Sequence, residues 1–204
     1  MTDAPAYPPP PWRLRGTVRA ALWRVPLAAL PGPLPDGARP LGWGRSALLA
    51  TVWAEWLPGG DLAYAELVVA VPVRLGRRIG VTVTAAWVDS PASLAGGRAL
   101  WAIPKRLGRF ETAGGRTELF AAQRPVAAFT DRPGRALPLR LPFPLRVLQP
   151  DGAGVRITRA AATGWPRFGG PGWEFPPDGP LALLAGRQPF IALTLAEAEA
   201  RFGL

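Results

Sequence analysis

Between Leu62 and Leu107 the chain reads "LAYAELVVAVPVRLGRRIGVTVTAAWVDSPASLAGGRALWAIPKRL". Leu62 to Val73 is an apolar, valine-rich run. Val81 to Val88 is a second, alternating valine with threonine, and "LGRRIG" between them supplies a glycine turn. Two such runs across a short turn read as paired antiparallel strands. Alternation puts Tyr64, Glu66, Val68 and Ala70 on one face of the first strand, and Ala65, Leu67, Val69 and Val71 on the other. Both faces are apolar apart from Glu66, so the strand is expected to be covered on both sides. The period then changes. Asp89-Ser90-Pro91 offers an N-cap and a proline where the first helical N–H has no partner anyway. "ASLAGGRALWA" continues a helix, in which Gly96 and Gly97 each cost about 1 kcal/mol against alanine. Two such penalties imply that something packs closely on the helix there. Pro104 disfavours helical geometry at Ile103 and ends the helix. Lys105 therefore stands just past a helix end, behind a rigid residue.

The same texture extends outward. "SALLATVWAEWL" (Ser46 to Leu57) runs into a Pro-Gly-Gly-Asp turn and completes an antiparallel meander with the two later strands. Thr17 to Val25 reads as a strand or a short helix, and Leu30 to Gly42 as a loop. Beyond the helix, strand-like runs recur at Leu107–Thr112, Thr117–Ala122, Val126–Thr130, Leu137–Val147 and Val155–Ala162. Trp165 to Pro180, rich in proline, glycine and aromatics, reads as a long loop. Leu181 to Leu184 and Phe190 to Leu195 close the chain, and Thr194-Leu195-Ala196-Glu197 has the form of a capping box opening a short final helix. "MTDAPAYPPPPW" reads as an extended polyproline arm, without the basic-then-apolar pattern of a signal peptide. The expectation is an α+β chain, mostly antiparallel β, built as a barrel-like domain over residues 17–204 with one central helix, preceded by a proline-rich arm over residues 1–16.

Composition excludes whole classes of chemistry. With no cysteine and no histidine among 204 residues, there is no thiolate or imidazole, and so no Ser-His-Asp or Cys-His hydrolase site and no zinc-thiolate or zincin site. No metal and no cofactor are expected. "GGPG" at Gly169 to Gly172 lacks the strand before it and the helix after it that a phosphate-binding loop needs. The net charge of +10 attracts anions. The arginines are scattered singly, apart from Arg77-Arg78, which gives no reason to expect a nucleic-acid partner. Prolines and charges interrupt every apolar stretch, so no membrane association is expected and a cytoplasmic location follows.

Lys105 is the sole lysine among 24 basic residues. Its neighbours, Trp101, Ile103, Pro104 and Leu107, are poor company for a solvated cation. A lysine amine attacks a carbonyl only when neutral. With an ordinary pKa near 10.4, reaching neutrality near pH 7 takes roughly 5 kcal/mol of bias, which desolvation or a neighbouring cation can supply. Arginine stays protonated and cannot substitute. The competing reading has the Lys105 stem packed on Trp101 with its head in solvent.

Tyr64 to Val73 and Trp87 to Glu111 resemble the acetoacetate decarboxylase family, in which a Y-x-E strand precedes a D-x-x-x-(S/A)-x-x-x-G-R-E segment leading to P-K-K-L. "PPPPWRLRG" (Pro8 to Gly16) resembles the family's entry more weakly. The resemblance implies that Lys105 is the Schiff-base lysine, that Glu66 is an active-site carboxylate, and that Arg106 stands in for a second cation beside the amine. Activation of such a lysine by burial or a nearby cation is known for this family. Arg98 matches the G-R arginine, which could pair Glu66, bind a substrate carboxylate or brace the helix. Glu66 could equally be a buried carboxylate paired with an arginine. Ala99 replaces the glutamate that commonly follows this arginine. An ungapped register puts Thr51 where decarboxylases carry a second acid, with Glu55 four residues on. The resemblance further implies a carbon–carbon lyase acting on a small β-keto acid and working as a homo-oligomer. Its relatives include aldolase-dehydratases using the same imine, and a non-catalytic small-acid binder is a further alternative.

Overall fold

The computed structural model describes residues 6–132, 134–169 and 172–204. The first five residues of the proline arm, and Gly170 and Pro171 of the "GGPG" stretch, lie outside them. The meander forms as expected: β4 (Ser46–Trp56) pairs antiparallel with β5 (Tyr64–Leu75), which pairs with β6 (Arg78–Val88). Gly76 makes the tight turn between the last two at φ 57°, a conformation that side chains with a Cβ disfavour.

The remaining long strands close this meander into a barrel. β1 (Trp12–Pro26) lies beside β4, and β15 (Ile191–Phe202) lies on the other side of β1. Next come β13 (Gly154–Phe168) and β12 (Leu141–Asp151), and β12 returns to β6 through a parallel bridge at Val147 and Val81. With β5 bonded to β6, seven strands form a closed ring. Closure removes the sheet edges that would otherwise invite pairing with other chains. β2 (Arg39–Pro40) and β3 (Gly42–Trp43) are short additions to β5 and β4, in the segment read as a loop.

Past the single α-helix among the described residues, α1 (Pro91–Trp101), β7 (Lys105–Leu107) pairs parallel with β6. A second sheet then forms from β8 (Arg109–Ala113), β9 (Arg116–Ala121), β10 (Arg124–Thr130) and β14 (Gly172–Glu174). The two-residue β11 (Arg135–Ala136) pairs with β13. The expected long loop after Trp165 is strand at its start and again at β14.

Two cores result. Trp23, Leu49, Trp53, Leu67 and Val69 point out of the barrel and are covered by the second sheet through Phe129, Trp173 and Phe175. Trp53 meets Phe129 edge-on at 4.8 Å and Trp23 meets Phe175 edge-on at 5.4 Å, each such pair contributing about 1 kcal/mol beyond burial. The opposite faces of β1, β4 and β5 line the barrel interior. Both faces of β5 are thus occupied, as its sequence predicts. α1 packs at the barrel end where β1 begins and β15 finishes, with Trp101 edge-on to Trp12 and to Phe202, each at 4.5 Å.

Of two local expectations, one is settled within its alternatives and one is overturned. Thr17 to Val25 is strand, within β1. Thr194 to Glu197 does not open a helix: it lies inside β15, where Glu197 takes φ 47°. Register slips opposite this point, in both β1 and β13, mark a bulge. A strand hydrogen-bonded on both flanks outcompetes a one-turn helix, and the bulge absorbs the extra residue. No helix among the described residues is long and apolar enough to cross a membrane.

Candidate active site

The helix end determines where Lys105 points. Ser90 caps α1 by accepting from the Ser93 N–H at 3.2 Å, and Pro91 takes the first turn. At the other end Ala102 turns left-handed, at φ 54°. The Ala102 and Ile103 N–H groups donate back to the carbonyls of Arg98 and Gly97, both at 3.1 Å, a closing pattern that usually uses glycine. Alanine is held there by Gln149, which is 2% exposed. Its amide donates to the carbonyls of Ala102 (3.2 Å) and Val83 (3.0 Å) and accepts from the Val83 N–H (2.7 Å). The Arg98 Nε donates to the Lys105 carbonyl at 2.8 Å. Pinned on several sides, the backbone sends the Lys105 side chain inward, leaving it 3% exposed.

Gly97 makes room for it. A Cβ on Gly97 would lie 2.6 Å from Lys105 Cδ and 2.8 Å from Cε, while one on Gly96 would strike the Trp12 ring at 2.5 Å. Each glycine of the pair thus seats one side chain against the helix, which accounts for the helix propensity both forfeit.

The amine ends inside the barrel. Lys105 Nζ donates to Ser93 Oγ at 2.8 Å and to Glu66 Oε2 at 3.2 Å, and sits 5.0 Å from the centre of the Tyr64 ring. The other Glu66 oxygen accepts from the Trp56 indole N–H at 2.9 Å. Tyr64 and Glu66 are two apart on β5 and so share the inward face. Burial, and after it the negative charge of Glu66, hold the Tyr64 phenol well above the ordinary tyrosine range, so it remains a neutral hydroxyl. The amine opens onto a cavity of about 500 Å³ inside the barrel, whose other lining residues are almost all apolar.

Of the four residues singled out in the sequence, the fold brings Lys105 and Glu66 together and leaves the two arginines outside. Arg106 is exposed, since its neighbour Lys105 takes the inward position on β7. It shares a shallow surface depression with Arg98 on the far side of the turn. Arg98 braces the Lys105 backbone and neither pairs Glu66 nor lines the cavity. Thr51 is fully buried but faces outward, where its hydroxyl accepts from the Trp23 indole at 2.9 Å. Glu55, of the same parity, is exposed. Glu66 is therefore the one carboxylate lining the cavity among the described residues. Ala99 is exposed on α1, and its carbonyl accepts from Arg156 at 2.7 Å, so the residue change there does not touch the cavity. Ser93 and Trp56 contact Lys105 and Glu66 without having been singled out. The D-x-x-x-S spacing from Asp89 carried a signal for Ser93, whereas nothing local marks Trp56 or Gln149.

The site is thus a buried lysine in contact with one carboxylate at the wall of an apolar cavity inside the barrel. The profile described as acetoacetate decarboxylase (ADC) matches residues 1–132, and the chain belongs to that family. Among solved structures it is similar to acetoacetate decarboxylase from Legionella pneumophila, with 18% identity over 98% of this chain and 89% of that one and a TM-score of 0.69. The enduracididine biosynthesis enzyme MppR, complexed with pyruvate, gives 18% identity over 98% and 90% and a TM-score of 0.65. An acetoacetate decarboxylase-like enzyme from Sphingomonas wittichii gives 16% identity over 95% and 91% and a TM-score of 0.62. No curated protein is significantly similar to the chain. The seven-stranded barrel with one helix is the family's fold.

Proposed function

We propose that the protein is a cofactor-independent Schiff-base enzyme that decarboxylates a β-keto acid at Lys105. The observation carrying this reading is the Lys105 amine, almost fully buried, 3.2 Å from Glu66 at the wall of an apolar cavity. A proton passes from the amine to Glu66, and the neutral amine attacks the ketone carbon. Glu66 returns that proton to the carbinolamine oxygen and then carries a second one across from the nitrogen, so the oxygen leaves as water and the iminium forms. The C–C bond to the carboxylate then breaks, its electron pair flows into the iminium, and CO2 departs. The charge of the carboxylate disappears in this step, so an apolar surround that solvates it poorly favours the transition state over the ground state. The enamine carbon takes one proton from solvent, relayed by Glu66 or Ser93, and hydrolysis releases the ketone and restores the ammonium. Neither arginine takes part in the steps; Arg98 positions the lysine.

Incubation with acetoacetate followed by borohydride tests the reading. The expected results are a stable mass added at Lys105, CO2 release, and loss of both in Lys105→Arg. No adduct from a broad panel of ketones and keto acids would overturn it. Condensation through the same imine is the second reading, supported by Glu66 being a single acid able to serve enamine formation without a partner. A condensed, unsaturated acid in place of CO2 would identify it. Assembly into a homo-oligomer belongs to the same proposal, supported by the large apolar side chains left exposed, Phe190 at 61%, Leu107 at 55% and Ile79 at 52%. A monomer in light scattering would contradict it.

A further inference from the structure

The cavity is larger and more apolar than the smallest β-keto acids need. Its inward positions are held open by small residues, Ala20, Ala50, Ala70, Ala160, Ala162 and Ala200, where small barrels ordinarily fill their interior with bulky side chains. Val18, Val52, Val68 and Val81 also line the cavity and stay only half-buried. Apolar surface is therefore left uncovered inside the protein. Beyond Lys105 and Glu66, no charged side chain among the described residues enters the interior to hold a second polar group; Arg201, at the margin, is exposed.

Resting on the Schiff-base reading, we infer that the substrate is a β-keto acid with a long apolar tail, R–CO–CH2–COO⁻, whose product is the methyl ketone R–CO–CH3. The carbonyl lies at Lys105 and the tail runs along β5 from the Glu66 layer toward Ala70 and the facing Ala50. Four residues of strand make that path about 13 Å long. At about 30 Å³ for each water-sized unit, a cavity of about 500 Å³ accepts roughly sixteen heavy atoms, against seven in acetoacetate. A tail of roughly six to ten carbons fills it. The net reaction takes up one proton and releases CO2, as for any β-keto acid.

The product ketones are stable, so they serve as the probes. The wild-type protein is titrated with 2-butanone, 2-heptanone and 2-nonanone, with pyruvate as the short acid, and trapped with borohydride. The adduct at Lys105, the only lysine, is counted by peptide mass. Burying one methylene contributes about 0.8 kcal/mol, so the concentration for half-trapping falls about fourfold per methylene, or roughly sixtyfold from 2-butanone to 2-heptanone. In Ala50→Phe the rise with chain length stops at a shorter ketone. Half-trapping that is flat with length, or best for 2-butanone or pyruvate, overturns the tail and leaves the imine standing. No adduct with any of the four removes the imine itself, and the tail with it.

Discussion

Replacing Gly97 by alanine separates the seating of the lysine from the stability of the helix. The added methyl would stand 2.6 Å from Lys105 Cδ and 2.8 Å from Cε, against about 3.5–4.0 Å for carbons in contact. The backbone on both sides is pinned by Gln149 and Arg98, so the lysine stem is what yields, by about 1 Å. That moves an amine now 2.8 Å from Ser93 and 3.2 Å from Glu66, and a misplacement of this size costs on the order of 10²-fold in rate. Stability changes far less. Alanine gains about 1 kcal/mol over glycine in a helix and overpacking costs about 1–3 kcal/mol, leaving a net loss of at most about 2 kcal/mol. At roughly 2–4 °C per kcal/mol for a chain of this size, Tm falls by no more than about 8 °C. The assay is the rate of borohydride-trapped adduct set beside a thermal melt. Gly96→Ala is the matched control, with the same helix gain but a clash against the Trp12 ring. It should lower Tm while leaving trapping by the folded protein near the wild-type rate. Trapping by Gly97→Ala at the wild-type rate would refute the seating argument.

Three further outcomes follow from the same geometry. Glu66→Gln keeps an acceptor for the Trp56 indole but removes the proton relay, so the rate of ketone trapping and turnover both fall, by about 10²–10⁴-fold; trapping at the wild-type rate would take Glu66 out of imine formation. The Tyr64 phenol, raised by burial and by Glu66, contributes stability that is complete below the unfolded tyrosine value near pH 10 and is lost as pH rises above it. In Tyr7→Phe, where Tyr64 is the only tyrosine, phenolate absorbance should therefore appear only with unfolding, and its appearance near pH 10 in the folded protein would contradict this. Gln149→Leu strands the Val83 N–H and two carbonyls at roughly 1–3 kcal/mol for each unsatisfied group. Even at the lower bound, about 3 kcal/mol for the three groups, the melt falls by at least about 6–12 °C, and an unchanged Tm would show that the amide does not hold the turn.

What the sequence made legible was local. The valine-rich run around Glu66, the Ser90-Pro91 start and the Pro104 stop are written in contiguous residues, and the meander, the helix and the place of Lys105 follow from them. Strand parity likewise put Tyr64 and Glu66 on one face. The barrel-like build was expected, but which strands close it was not legible, because β1 meets β15 and β12 meets β6 through pairings between residues far apart in the chain. The same limit produced the false final helix: the capping-box spacing is local, whereas the two strands flanking β15 are not. At the site, a match to a family motif located Arg98 and Arg106 without saying which way they face. One residue of alternation sends Arg106 out when Lys105 goes in, and the direction of Thr51 depends on a barrel wall that only the assembled fold defines. Gln149 carries no motif at all, and its role rests on backbone groups supplied by two other segments.

The claim at the centre is that Lys105 bonds covalently to a carbonyl carbon, and forming that bond expels the carbonyl oxygen as water. The direct measurement is exchange of ¹⁸O from labelled 2-heptanone into solvent, followed by mass spectrometry with the wild-type protein and with Lys105→Arg and Lys105→Met. Loss of label catalysed by the wild-type protein and reduced to the uncatalysed rate in both variants is the predicted result. Label lost equally fast with all three proteins, or retained by all three, would contradict it.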